Sequence, residues 1–460
     1  MRRKQSGRTM DGLSKMQLTV AVIPGTSFKP FLYALARALK AKGVDIKVIA
    51  PFRFHLVEAT QAGIPLVHRG LGGLFSASAE EALTDSQIDE DTEAFRRMFR
   101  YKDSYRLLYR RLVTWYRQVF REGGVNALLI FNGFKIFQRA ALRAAEMESI
   151  RVLHIENGYL PRTLQIDPKG INFNNSLAER YRRNKESITA ASYEELRDHV
   201  RNSVCTDVLA NAAGPSERRP LWWWSVALDL LVDPLLRPWL WRPKLISHWQ
   251  VKRRAAAPYE KMGGQLPPKY LLLILQVELD TQHILFSPLF QGMREALRLV
   301  CEARDEVAPG LAVVVRPHPA EPRPWRIMEE FAKHKDLYWD EVTPLEEAME
   351  KAEVVATVNS SVGFQALMAR KKVFALGQAC YVLPDVCPGA VELGSVSAAL
   401  RAGLDLDVDH PERMKFLTYA TKEYFVYDSW IHLTASGLEN SASRVCEELG
   451  VTPVSNSPAK

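Results

Sequence analysis

The sequence predicts an α/β protein of two Rossmann-like halves facing a cleft, joined by a linker and followed by a C-terminal helical tail. Short apolar runs alternate with amphipathic helical stretches in both halves, the pattern of parallel sheets covered by helices. The alternation breaks between residues 216 and 264, where Trp, Pro and Arg crowd together. At 460 residues the chain exceeds what one hydrophobic core usually serves, so two domains are expected.

The first strand is the apolar run at 18–23, which enters Pro24, Gly25, Thr26 and Ser27. A helix over 29–42 is stopped by Gly43, and a strand from Val44 completes a βαβ unit. The run at 127–131 ends in Asn132 and Gly133 before an alanine-rich helix over 138–146. The run at 151–155 ends at Glu156, Asn157 and Gly158. The first half therefore reads as a parallel sheet with helices on both faces. A second series opens with the apolar run at 270–275, then a helix over 289–304 and a strand around Val313. A helix after Trp325, a short strand at 337–339 and an acidic helix over 345–351 follow. The strand at 354–358, the helix beyond Gly363 and a strand from Lys372 complete it. The domains expected are residues 1–215, an insert at 216–264, residues 265–410 and a helical tail at 411–460. Two Rossmann-like halves with a linker and a late helical tail describe the GT-B architecture, whose active site lies between the halves.

With 47% hydrophobic and 25% charged residues, the composition is that of a globular protein. The formal charge is +8, and much of it is local: Arg96, Arg97, Arg100, Lys102, Arg106, Arg110, Arg111, Arg117 and Arg121 lie between tyrosines and leucines. This stretch reads either as a surface for nucleic acid, anionic lipid or anionic glycan, or as a solvated helix face. The insert carries Trp222, Trp223, Trp224, Trp239, Trp241 and Trp249 with Arg218 and Arg219. It reads either as an interfacial membrane contact or as a linker whose tryptophans pack on both domains. The five cysteines (Cys205, Cys301, Cys380, Cys387 and Cys446) have neither zinc-site nor CxxC spacing, which fits a reducing cytoplasm. The basic N-terminus is followed by no apolar core of a signal peptide, and none is expected. No run approaches the roughly 18 apolar residues of a spanning helix.

Three strand ends of the second half offer ligand chemistry. Gln276, Glu278, Asp280, Gln282 and His283 follow the strand at 270–275. Arg316 and His318, stiffened by Pro317 and Pro319, follow the strand around Val313 and can donate to a phosphate. Asn359, Ser360 and Ser361 open a helix whose free N–H groups suit an anion, and Gly363 allows close approach. Singly, each reads equally as a helix cap. Together, in order, they point to an activated-sugar nucleotide outside the carboxyl ends of parallel strands. In the first half, Glu156 beside Asn157 and Gly158 can enter a cleft as nucleophile or general acid/base, or can merely tie down a turn. Asp167 to Gly170 reads as a β-turn. The turn at Pro24 to Ser27 lacks the features of a P-loop or a dinucleotide fingerprint. His55, His154, His283 and His318 have no partner at metal-ligand spacing, so no metal and no cofactor are expected.

These motifs resemble the bacterial capsule polysaccharide biosynthesis family, which includes capsular β-Kdo transferases. The resemblance rests on Glu156 to Leu160, Asp167 to Asn172, Leu275 to Gln282, Arg316 to Pro319 and Val358 to Leu367. It implies a GT-B fold, a CMP-Kdo donor and retention of configuration. It also implies that Gln276, Asp280 and Gln282 line the donor site, with Ser360 and Ser361 at the phosphate. Arg316 and His318 would meet the CMP phosphate or the sugar carboxylate. In related Kdo transferases the residue after the first acid is often a second acid; here it is Asn157, which leaves Glu156. The expected catalytic set is thus Glu156, Asn157 and His318. Donor binding falls to Gln276, Asp280, Gln282, Arg316, His318, Asn359, Ser360 and Ser361, and the acceptor side to Tyr159, Arg162 and Asn132. The expected partners are a nucleotide sugar, a lipid-linked or glycan acceptor, the inner membrane touched peripherally from the cytoplasm and other capsule proteins, with no nucleic acid. The alternatives are a glycolipid-binding assembly or export factor without chemistry, and an enzyme like the sugar-nucleotide epimerases.

Overall fold

The computed structural model describes residues 18–23, 28–49, 59–60, 63–65, 83–94, 97, 104–209, 261–278, 280–321, 325–392 and 394–451. The tryptophan-rich stretch up to residue 260, the turn at 24–27, His55, Arg96, Arg100 and Lys102 lie outside them. In chain order the strands are β1 (Thr19–Ile23), β2 (Asp45–Val48), β3 (Ala127–Phe131), β4 (Arg151–Asn157) and β5 (Thr163–Asp167). β6 (Tyr270–Ile274), β7 (Ala312–Arg316), β8 (Leu337–Trp339), β9 (Val354–Thr357), β10 (Val373–Ala375) and β11 (Val426–Tyr427) follow.

They form two sheets, ordered β11-β5-β4-β3-β1-β2 and β10-β9-β6-β7-β8. The second is parallel throughout. Its first strand, β6, lies centrally, with β7 and β8 on one side and β9 and β10 on the other. That order reverses between β6 and β9, and the crevice at their carboxyl ends is where such sheets bind ligands. β6 shows why the sequence builds this layer. All five of its residues are buried. Leu271 and Leu273 enter the core under the helix Met293–Val307, whereas Tyr270, Leu272 and Ile274 enter the core shared with the helix Ser361–Met368. A strand sandwiched between helices must be apolar on both faces.

The first sheet differs from the expected all-parallel one. β5 runs antiparallel to β4, so Glu156 lies inside a strand pair, opposite Gln165, rather than in a loop. The tail is also not wholly helical: β11 pairs antiparallel with β5, and the helix Ala435–Leu449 packs on the helix Lys29–Ala41. The last segment of the chain thus returns to the first sheet. An unforeseen short helix, Thr281–Phe286, follows β6.

The arginine-rich stretch becomes the helix Ser104–Glu122. Its Tyr105, Tyr109, Trp115 and Tyr116 are core residues. Arg106 pairs with Asp85 and Asp89, Arg110 with Asp85, and Arg117 and Arg121 with Glu148. Of the two readings of this stretch, the solvated face is the one these four residues favour, since each is paired with a local acid.

Candidate functional site

The donor-side residues meet at the β6/β9 crevice. Ile274 of β6 is in register with Arg316 of β7 and Thr357 of β9, which brings the following residues to one level. Gln276 is buried, and its Oε1 accepts the Asn359 backbone N–H at 3.1 Å. The Asn359 amide donates to the Gln282 carbonyl at 3.0 Å, and its Oδ1 finds no partner among the described residues. Asn359 is therefore a bolt between β9 and the helix Thr281–Phe286, with one buried acceptor left over. Asp280 caps that helix by accepting the Gln282 N–H at 2.9 Å.

Ser360 caps the helix Ser361–Met368 through the Val362 N–H. Tyr381 Oη donates to the Ser360 carbonyl at 2.8 Å. A Cβ at Gly363 would lie 2.4 Å from Tyr381 Oη and 2.8 Å from Thr357 Cγ2, so only glycine lets this helix start seat against β9. Arg316 reaches its strand end but gives Nη1 to the buried Asp340 at 2.6 Å. His318 Nδ1 accepts the Ala320 N–H at 3.0 Å. With Nδ1 accepting, a neutral ring carries its proton on Nε2, which remains a donor.

Across the cleft, Glu156 at the end of β4 is buried. Asn132 Nδ2 donates to its Oε2 at 2.7 Å, and the Asn157 N–H and Nδ2 donate to its Oε1 at 2.9 and 3.2 Å. Burial pushes the carboxyl above its ordinary range; these donors and the nearby Asp280 act against and with burial respectively. The influence of Asp280 places a donor-side acid within electrostatic reach of Glu156. Asn132 holds φ at 70°, an uncommon backbone state for a residue other than glycine. It also lines a cavity of about 580 Å³ with Gly133, His154, Arg139, Arg143 and Lys169. Burial depresses the His154 imidazole to about 4, so it is neutral at pH 7.

A second cavity of about 310 Å³ opens between the halves. Asn157 to Thr163 line it from the first half, Ser361 and Gln365 from the second, and Asp428 to His432 from the tail. Arg162 is exposed there, with φ of 56°. The Tyr159 ring is buried instead, packed against Phe364, Tyr381 and Phe425, so it joins the two halves. Asp428 and Trp430 were missed from sequence: they follow the last motif and belong to no strand-end pattern. Among the described residues no group of His, Cys, Asp and Glu has the arrangement of a metal site. No described helix is long and apolar enough to cross a membrane.

The model of one family, capsule polysaccharide biosynthesis protein, matches residues 237–388. That stretch contains every donor-side residue above and bears out the family resemblance there. The chain is 25% identical over 303 residues to protein FixF of Sinorhizobium fredii, covering 66% of this chain and 61% of that one. It is 24% identical over 281 residues to the capsule polysaccharide export protein KpsS of Escherichia coli, covering 58% and 71%. The match thus spans less than two thirds of FixF. Among solved structures, the β-Kdo 2,7 transferase KpsC of Thermosulfurimonas dismutans aligns at 17% identity and a TM-score of 0.40, covering 80% of this chain and 98% of that one. The UDP-GlcNAc 2-epimerase of Methanocaldococcus jannaschii aligns at 12% identity and a TM-score of 0.35, covering 95% and 99%.

Proposed function

We propose that this chain, similar over residues 237–388 to the capsule polysaccharide biosynthesis proteins, is a retaining glycosyltransferase of surface-polysaccharide assembly. It takes Kdo or a related acidic sugar from a CMP-activated donor and passes it to a lipid-linked or glycan acceptor. The observation that carries this reading is the pairing of a buried carboxyl, Glu156, with an anion-suited strand-end crevice across one cleft. The crevice binds the nucleotide, with the helix start at Ser361 and the Nε2–H of His318 offsetting charge on the departing phosphate. Glu156 attacks the anomeric carbon as CMP leaves with the bonding electron pair, and the acceptor hydroxyl then displaces Glu156, which leaves as the carboxylate and takes up the hydroxyl proton. Two displacements retain configuration. The acceptor enters beside Arg162 and Asn132. No metal is needed in this scheme, since positive charge and helix dipole serve the leaving group. The protein works at the cytoplasmic face of the inner membrane, where the tryptophan-rich insert meets lipid.

The test is incubation of the full chain with CMP-Kdo and a lysophospholipid, read by mass spectrometry beside Glu156→Gln. A Kdo-sized gain on the lipid that the variant loses supports the reading, as does a glycosyl adduct on the Glu156 peptide. The absence of both turnover and CMP binding overturns it. Asn157, where an acid was expected, favours one rival: a glycolipid-binding assembly factor without chemistry. In that case Glu156→Gln leaves polysaccharide export in cells intact.

A further inference from the structure

We infer that Trp430 is a positioning residue for the cleft carboxylate: its indole N–H fixes the Asn157 amide in the orientation that donates to Glu156. The assignment follows from donor and acceptor counts. An indole nitrogen can only donate. Trp430 Nε1 lies 2.8 Å from Asn157 Oδ1. With the amide oxygen held there, the NH2 group faces Glu156 Oε1 at 3.2 Å. The amide has no free choice of orientation while the indole is in place. Turned over, it would present its oxygen to the carboxylate and an N–H to the indole N–H, two repulsive contacts for two attractive ones.

Both ends of this relay are rigid. The Asn157 carbonyl accepts Gln165 Nε2 at 2.7 Å, which pins the backbone. The Trp430 ring meets Phe28 edge-on at 4.6 Å and Phe131 at 6.3 Å, and those two rings stack at 3.7 Å. Its loop is tied by the Ser429 N–H to Asp428 Oδ1 at 2.7 Å, and by the Ile431 and His432 N–H groups to Ser429 Oγ at 3.3 and 3.1 Å. A side chain from the tail therefore sets the hydrogen bonding of a carboxyl group in the first sheet. Supporting groups of this kind decide how well a site is preorganised.

The kinetic consequence rests on the transferase reading; the structural one does not. Asp280 of the second half acts on Glu156 electrostatically, and Gln165 and Asn132 flank it as neutral groups. Asp428 and His432 lie on the Trp430 loop, and Arg162 shares its cavity. Two measurements on the full chain separate these groups. In NMR spectra the Trp430 indole N–H signal is identified by its loss in Trp430→Phe, or in Trp430→Tyr if Phe is not tolerated. That signal should shift with pH in the wild type, and the part of the shift that follows Glu156 should be missing in Glu156→Gln, where Asp428 of the same loop still moves it. A titration that is the same in wild type and Glu156→Gln carries no contribution from Glu156 and overturns the inference. In kinetics, Trp430→Phe keeps the aromatic contacts but drops the N–H. The acid limb of its kcat/KM profile should move upward, with kcat falling about tenfold and KM little changed, the effect of losing one hydrogen bond to a charged group. An unmoved profile in an active variant overturns the positioning role. The NMR titration without any turnover sustains the positioning and sinks the transferase reading.

Discussion

Asp428 is the carboxyl whose environment gives the clearest pH signature. Its Oδ2 accepts Ser441 Oγ at 2.5 Å and its Oδ1 the Ser429 N–H, yet burial pushes it up from the ordinary 3.8 to about 6. The folded chain therefore keeps a proton up to about pH 6 that the unfolded chain releases near 3.8. Stability falls as pH rises through that window, and the loss is complete above it, at a cost of roughly 3 kcal/mol. Asp428→Asn keeps the shape without the charge. It should unfold in urea about 1–3 kcal/mol later than wild type at pH 7.5 and show no gain at pH 4. Equal gains at both pH values would show that charge burial is not the cause. Residues of this kind are hard to read from sequence. Glu156 was legible because it ends an apolar strand. Asp428 and Trp430 follow a two-residue strand, and an indole in a loop carries no spacing that says where it reaches.

The start of the helix Ser361–Met368 shows how much an element depends on one missing side chain. Gly363→Ala puts a methyl group against Tyr381 Oη and Thr357, and overpacking of that kind costs about 1–3 kcal/mol. The same shift would move the Ser360 and Ser361 N–H groups. The variant should therefore lose both thermal stability and CMP affinity by calorimetry. Tyr381→Phe removes only the bond to the Ser360 carbonyl and should cost about 1 kcal/mol. If Gly363→Ala binds CMP like wild type, the helix start is not the phosphate site. The second sheet was legible because its strands are apolar on both faces, so each reads as a short bounded run. β5 was not, because Gln165 and Asp167 are completely buried in it. Their polarity is satisfied by Asn157 of β4, by Asn172, Asn175 and Ser176 in the segment after β5 and by Tyr424 of the tail, and hydrophobic patterning cannot register that. The arginine-rich helix left two readings open for a related reason: Asp85, Asp89 and Glu148, which pair with four of its arginines, lie outside its own periodicity.

At the scale of the molecule, the tail holds both halves: Arg413 Nη2 donates to the Leu367 and Lys371 carbonyls of the second half at 2.9 and 2.8 Å, and further bonds reach the first. Tyr424 Oη donates to Asp167 Oδ2 at 2.7 Å, and Glu448 takes Arg180 through two bonds of 2.7 Å. Asp167 also accepts the N–H groups of Lys169, Gly170 and Ser176 and the Ser176 hydroxyl, so it organises the loop after β5. That loop supplies Asn172 and Asn175 to Gln165, and Gln165 holds the Asn157 carbonyl. A chain of contacts thus runs from the tail to the residue beside Glu156. Tyr424→Phe removes one bond to a carboxylate and leaves the ring in place, a loss of roughly 1.5–3 kcal/mol in urea unfolding. The loop is the part released, so amide exchange should quicken over residues 167–176 and at Asn157 while β6 and β9 keep wild-type protection. Faster exchange in the β6 and β9 strands instead would mean that Tyr424 supports the second half, and an unchanged unfolding midpoint would mean that Asp167 holds its loop without the tail.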